Sequence, residues 1–459
     1  MQRALDFDKT PALGVPLPFF LNVPLFALLA GLLATWAGSQ AFASRWNGAA
    51  LALTHLWTLG ILGSAMLGAL LQILAVACNV RVGAIRTVAG LTHALLTAGT
   101  LLLAAGFLGW WPVAWVGAAA LLGPAFALYL AAVAWALWQH RRQVYKGARE
   151  ILVPVRGALA ALACTVLIGL VLALSLGLGS APPDWIDGHV LWGLAGWGGL
   201  LLMGMSFQLL PIFQVTELYP RPIARWLPLL IPGLLLAWTA LEASTGLPRL
   251  MRETAELLLV GAYALWAGVT LRLLWTRKRP TPEPTTLFWY AGMISLLACA
   301  PLWIWMTHGQ SPRAGLVLGV VMIAGVLGSV VNGMLYKIVP FLLWKHAQDA
   351  MIVPDHDPAQ ARVYLKVLPK MATYIGDRPA RWQWAAHVAV IICWSLAAAG
   401  WAPAVLAAGP LQIVSAAGLA WNIGRALRLY RRTLRAMAAL PHHAPAAQTR
   451  GPLRAGGRE

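Results

Sequence analysis

Charge is what this chain of 459 residues has least of. Only 11% of it is Asp, Glu, Lys or Arg, while 60% is hydrophobic. A soluble domain of this size cannot hide that much apolar surface. Acidic residues are the scarcer sign, 15 against 34 Lys and Arg, which leaves a net charge of +19. Cysteine is scarce as well. Cys78, Cys164, Cys299 and Cys393 stand alone, with no CxxC and no CxxCH for covalent haem attachment. Isolated in or beside apolar runs, they read as small core residues. A cleavable leader is also missing from the pattern: MQRALDFDKT is polar, and the first apolar run is too long for a signal h-region.

Long apolar runs are there instead, from end to end. A helix crosses the roughly 30 Å hydrocarbon layer with about 20 residues. Twelve spans are predicted, at 17–41, 50–79, 86–108, 112–138, 155–179, 187–213, 224–245, 251–275, 285–307, 314–344, 382–400 and 403–429. GWWP before the fourth and GWAP before the twelfth are tight turns between antiparallel helices. The fold class is therefore an all-α polytopic membrane protein whose first partner is the lipid bilayer. The positive charge marks topology rather than nucleic-acid binding. With the N-terminus in the cytoplasm, 29 of the 34 Lys and Arg fall in inner loops and tails, which fixes an even number of spans and both termini inside. Residues 1–16 form a cytoplasmic N-terminus. Residues 345–381 form the longest inner loop, carrying VPDHDP and VLPKM, and residues 430–459 a disordered basic tail.

The stretch from Gly188 to Pro220, GHVLWGLAGWGGLLLMGMSFQLLPIFQVTELYP, organises the rest. Two other stretches copy its second half, GMSFQLLPI from Gly204: GALLQILAV from Gly68 and GMLYKIVPF from Gly333. They recur at nearly equal separations, so the chain reads as a parallel repeat of about 130 residues.

Topology converts position into depth, at about 1.5 Å per helical residue. His55, His189 and His308 come from three helices at similar depth near the outer surface, with Met306 beside His308. His93 lies deeper on the third span, and His387 near the inner end of the eleventh. Polar side chains inside spans are costly and usually face a bundle interior. These histidines are either helix-end residues meeting interfacial water or ligands of a metal or haem, since neutral imidazole is the commonest such ligand. Ten of the 24 tryptophans gather toward the same face: Trp46, Trp57, Trp110, Trp111, Trp115, Trp185, Trp192, Trp303, Trp305 and Trp401. They form either an interfacial belt or a wall around a flat cofactor.

At the inner side the repeat aligns Gln72, Gln208 and Lys337, with Asn332 a little over a turn away. Either they ring a cytoplasmic entry path, or they hydrogen-bond between helices, with Lys337 snorkelling or paired with Glu217.

Twelve spans, both termini inside, and a parallel repeat on the second, sixth and tenth spans resemble the catalytic subunit of haem–copper oxidases and the related NnrS-type membrane proteins. GHVLWGLAGWGGLLLMGMSFQLLPIF is similar to that family's sixth helix, and GSVVNGMLYKIVPFLLW to the end of its tenth. The resemblance implies a pseudo-threefold bundle in a bacterial inner membrane, with respiratory or redox membrane partners. It sets His55 where the family has an axial ligand of the low-spin haem, and His189 where it has a copper ligand. The tenth-helix HxH pair is missing: the matching positions hold Val320 and Leu318. The seventh span, RWLPLLIPGLLLAW, has no His-His pair. No carboxylate lies at mid-bilayer. Oxygen reduction is therefore not expected. A reduced site is: one b-type haem or one copper ion on His55 with His189, His93 or His308, and Met306 as a soft copper ligand. The alternatives are a permease without cofactor, with a continuous cavity lined by Gln72, Gln208, Asn332 and Lys337, or an assembly subunit of a respiratory complex.

Overall fold

The computed structural model describes residues 6–142, 149–244, 249–309, 311–351 and 358–440. It is 85% helix, with no strand among the described residues. Twelve helices are long and apolar enough to cross a membrane, as an integral membrane protein requires. They are α1 (Leu17–Phe42), α2 (Gly48–Cys78), α3 (Ile85–Gly109), α4 (Pro112–Gln139), α5 (Glu150–Gly177), α6 (Ile186–Phe213), α7 (Arg221–Glu242), α8 (Arg249–Trp275), α9 (Pro284–His308), α10 (Ala314–Asp349), α11 (Asp377–Ala399) and α12 (Ala402–Ala438). An even number of helices puts the start of α1 and the end of α12 on one face of the bundle, called here the basic face after its Lys and Arg.

Packing partners recur every four helices. α12 lies on α1, α4 on α5 and α8 on α9, while α3 with α4, α7 with α8 and α11 with α12 form antiparallel pairs. α2 and α6 are the most buried spans, and α5 the most exposed. The repeated glycines explain part of this. A Cβ on Gly68, Gly204 or Gly333 would sit 2.8 Å from Phe19, 2.6 Å from Pro154 or 2.4 Å from Phe288. Each contact is to the preceding helix, α1, α5 or α9, so the small residue sets how closely the two backbones approach. Outward-facing Leu25, Leu32, Leu167, Leu236, Leu257 and Leu406 stay exposed, as a lipid-facing surface requires.

The same three helices share a local irregularity. Each opens into a π-helical segment, Leu56–Gly63 in α2, Trp192–Gly199 in α6 and Val321–Gly328 in α10. All three end five residues before the repeated glycine. A widened turn leaves backbone groups without their usual in-helix partners, and such turns gather at functional sites. One carbonyl in these segments is met by a side chain from elsewhere: the Tyr263 hydroxyl donates to Ala195 O. Tyr263→Phe, which orphans the Ala195 carbonyl and keeps the ring, is expected to cost about 1–3 kcal/mol, read as a lower midpoint in thermal unfolding in detergent.

Two predicted boundaries move. The tail expected to be disordered from residue 430 is helical to Ala438. Ile423, Ala426, Thr433 and Met437 are buried at helical spacing, so an amphipathic extension of α12 packs under the basic face, where hydropathy alone falls off. The predicted 345–381 loop is largely helical. α10 runs to Asp349, two short helices follow at Pro358–Val367 and Met371–Tyr374, and α11 starts at Asp377. Residues 1–5 and 441–459 of the predicted terminal segments, and most of VPDHDP, lie outside the described residues.

Candidate functional site

His55 closes the regular part of α2, immediately before its π-helical segment. Its Nδ1 lies 2.8 Å from Leu51 O. A carbonyl only accepts, so Nδ1 carries the proton and Nε2 keeps its lone pair in the neutral ring. Phe107 of α3 stacks on the imidazole, 5.1 Å between centroids at 26°. His189 is built the same way on α6. Its Nδ1 lies 3.0 Å from Thr165 O of α5, and its ring rests on Gly169, where a Cβ would stand 2.8 Å from Cε1. The two histidines are within electrostatic reach of each other. Above them Arg45, just before α2, bonds Asp187 at the start of α6 at 3.1 Å, tying the rims of the two helices together. Both side chains of that bridge are exposed, so it orients more than it stabilises. The result is a half-buried pair of imidazoles with both Nδ1 atoms anchored and both Nε2 atoms free.

The other expected ligands do not join this pair. His93 sits edge-on to Phe19, 5.2 Å away near the basic face. It is fourteen residues along α3 from Phe107, or about 21 Å. Its Nε2 is buried without a partner. His308 is exposed at the end of α9 with Trp303 at 6.4 Å. Met306 is also exposed, its sulfur against Gly315. Among the described residues no group of three or more His, Cys, Asp or Glu is arranged to hold a metal ion. All four cysteines are free. The tryptophans divide: Trp46, Trp110, Trp111, Trp185, Trp305 and Trp401 are exposed, whereas Trp57, Trp115, Trp192 and Trp303 are buried. The nearby acid on α8, Glu256, accepts from Trp238 Nε1 at 2.8 Å and Trp303 Nε1 at 3.1 Å.

The polar layer toward the basic face is not one ring. Lys337 Nζ pairs with Glu283 Oε2 at 2.6 Å. The suggested partner, Glu217, instead faces Lys278 at 3.0 Å. The cause is local: Val215 takes φ +54°, a costly conformation for a β-branched residue. That turn sets its carbonyl on the Lys278 N–H at 3.1 Å, which holds the two connections together. Gln72 and Gln208 each bury an unpartnered Oε1, and Asn332 an unpartnered Oδ1. Gln72 lines an apolar cavity between α2, α6 and α10. Asn332 lines a separate, polar one. Gln208 and Lys337 line neither of these two cavities.

That polar cavity escaped the sequence reading. It lies between α1, α2, α10, α11 and α12. His387, with Nε2 3.1 Å from Ser329 Oγ, is one wall. Gln383 accepts from the Tyr336 hydroxyl at 3.1 Å and donates to Ser415 Oγ at 3.1 Å, and Asn422 donates to the Tyr336 oxygen at 3.0 Å. Gln412 Nε2 donates to Ala27 O at 3.1 Å. A signal existed. Gln383 and His387 are four apart, while Gln412, Ser415 and Asn422 recur at helical spacing, a polar stripe of which the sequence reading took up His387 alone.

No protein-family model matches the chain, and no curated protein sequence matches it.

Proposed function

We propose that this chain is a haem–copper-oxidase-like membrane protein that holds one b-type haem or one copper ion between His55 and His189, and that it serves redox chemistry, nitric-oxide response or haem and copper handling. Its pseudo-threefold bundle sits in a bacterial cytoplasmic membrane with the basic face, and so both termini, in the cytoplasm. The site then lies near the outer surface, where redox membrane partners can reach it. One observation carries the reading. Both imidazoles donate Nδ1–H to a backbone carbonyl and keep Nε2 unengaged, the second-shell arrangement that fixes tautomer and direction in metal-binding histidines. The residues present fit the group in donor type and in anchoring.

The work of the chain's own residues follows from that arrangement. Leu51 O and Thr165 O keep each Nε2 unprotonated and aimed. Phe107 holds the His55 ring by stacking, and Gly169 leaves room for His189. The group, once bound, supplies one-electron chemistry. Reduction of oxygen to water is not part of this reading, because the positions of the family's tenth-helix ligands hold Leu318 and Val320 and the third histidine expected on this side, His308, stands apart.

Spectra of protein purified in mild detergent, oxidised and dithionite-reduced, with metal analysis on the same sample, test the proposal. The expected result is about one haem b or one copper per chain, abolished by His55→Ala and by His189→Ala with helix content retained. A featureless spectrum and no copper, from cells supplied with both, would overturn it.

A further inference from the structure

The outward face of α12 changes character along its length. Leu406, Pro410, Val414 and Ala417 are exposed at intervals of four, four and three residues, one stripe on the lipid-facing side. Continued at the same spacing, the stripe meets Trp421, Arg425, Arg428, Arg432 and Arg435, all exposed. Ile423, Ala426, Thr433 and Met437 are buried on the other side of the helix. Of the arginines on α12 only Arg431 stands off the stripe. The helix carries no Asp or Glu, and among the described residues no ion pair reaches the four stripe arginines. A general bias toward positive charge at this end of the bundle would be met by any face of the helix; it does not account for one stripe.

Two exposed tryptophans give the depth. Trp401 and Trp421 are 20 residues apart, about 30 Å along the axis, which is the thickness of the hydrocarbon layer. The face is therefore apolar across the bilayer, aromatic at the edge nearest the basic face, and cationic beyond. Arg425 and Arg428 start about 6 and 10 Å past Trp421. Helical side chains lean toward the N-terminus, here back toward the bilayer. Arg428 shows that lean. Its guanidinium lies 5.1 Å from the Trp421 ring centroid and passes Gly424, where a Cβ would be 3.9 Å from Nη1. Arg432 and Arg435 start about 16 and 21 Å past Trp421. Folded back in the same way, they still end outside a headgroup layer about 5–8 Å deep.

We propose that Trp421, Arg425 and Arg428 seat the phosphate of an anionic phospholipid of the phosphatidylglycerol class, drawn from the leaflet at the basic face, with its acyl chains along Val414 and Pro410. A guanidinium donates two N–H groups to one phosphate, and the Trp421 ring holds one of the two guanidinium groups in place. A zwitterionic lipid brings its own ammonium to the same phosphate and gains less. A soluble acidic protein fits less well, because the seat continues a lipid-facing stripe and its side chains lean toward the bilayer. The inference stands apart from the two-histidine reading: a chain with neither haem nor copper would still hold the lipid.

Native mass spectrometry of the whole chain, delipidated in mild detergent, tests it, with phosphatidylglycerol as probe and phosphatidylcholine of the same acyl chains as control. A saturable phosphatidylglycerol adduct that phosphatidylcholine does not displace is expected. Arg425→Gln with Arg428→Gln should weaken it about thirtyfold. Arg432→Gln with Arg435→Gln removes the same charge from the same face and should weaken it less than about twofold, because solvent and salt screen the outer pair. Arg425→Lys with Arg428→Lys, which keeps the charge and loses the planar fork, should fall between. All four side chains are exposed, and an unchanged thermal midpoint confirms that the variants fold. Equal losses from the two glutamine pairs overturn the proposal, since the stripe would then act as diffuse charge. So does an inner pair without effect, or a loss confined to the outer pair, the mark of a partner on the water side. An adduct that phosphatidylcholine displaces overturns it as well.

Discussion

Gly409→Val is expected to prevent the native bundle from forming, with a loss of more than about 3 kcal/mol. A Cβ on Gly409 would stand 2.1 Å from Thr35 Oγ1, 2.4 Å from Thr35 N and 2.7 Å from Thr35 Cα. Backbone cannot turn aside as a side chain can, so α1 and α12 must separate. Gly31 makes the reciprocal approach, with a Cβ there 2.8 Å from Ile413 N. This pair of small residues sets the seam between the first and last helices, the contact that closes the ring. The seam buries Gln412, whose amide donates to Ala27 O, so parting the helices also strands that hydrogen bond. Size-exclusion behaviour and thermal unfolding in detergent report the outcome. Gly233→Val and Gly261→Val are the controls: nothing lies within 4 Å of either position, and changes under about 1 kcal/mol are expected. If Gly409→Val unfolds like the controls, the close approach is wrong.

The second large effect is asymmetric. Lys337 brings a cation into α10 with only 13% of its side chain exposed, and Glu283 meets it with 24% exposed. Glu283 also contacts Arg279. Removing Glu283 leaves Lys337 without its carboxylate in a poorly hydrated place, whereas removing Lys337 leaves Glu283 with Arg279. Glu283→Leu is therefore expected to cost about 3 kcal/mol and Lys337→Met distinctly less. The double variant should recover most of the loss, because two apolar side chains can replace a buried ion pair at little net cost. Unfolding of all four proteins gives the coupling; equal losses from the two single variants would contradict the geometry.

Much of this architecture was legible in the residues. Twelve helices follow from hydropathy, since a bilayer demands runs of fixed length, and their bounds move by only a few residues for most spans. The glycines at 68, 204 and 333 marked a repeat in the sequence, and each stands at a close approach to the preceding helix. The π-helical segments were not foreseen, because a widened turn depends on what packs around it. Their mark was present all the same, in Gly60 and Gly63, Gly196 and Gly199, Gly325 and Gly328, three pairs at one offset from the repeat. At the site, depth counting singled out His55 and His189 but could not give direction around the helix. It therefore grouped His308 with them, although that ring ends in the open. Glu283 went unnoticed as Lys337's partner because it precedes α9 in a segment read only as connection. The favoured candidate, Glu217, is carried elsewhere by one left-handed backbone turn at Val215. The polar cavity around His387 was missed because His387 was weighed alone, without Gln383 four residues before it or the polar residues of α12.

The three widened turns also share a register. Each lasts eight residues and ends at the same distance from its repeated glycine, although the copies are 136 positions apart in one case and 129 in the other. The seven-position difference therefore falls wholly outside the block that runs from the widened turn to the glycine. Within that block the three helices keep one geometry while their surroundings differ: only the α6 copy has a carbonyl, that of Ala195, met by a tyrosine hydroxyl from α8 among the hydrogen bonds of the described residues, so the same widened turn is used in different chemical company.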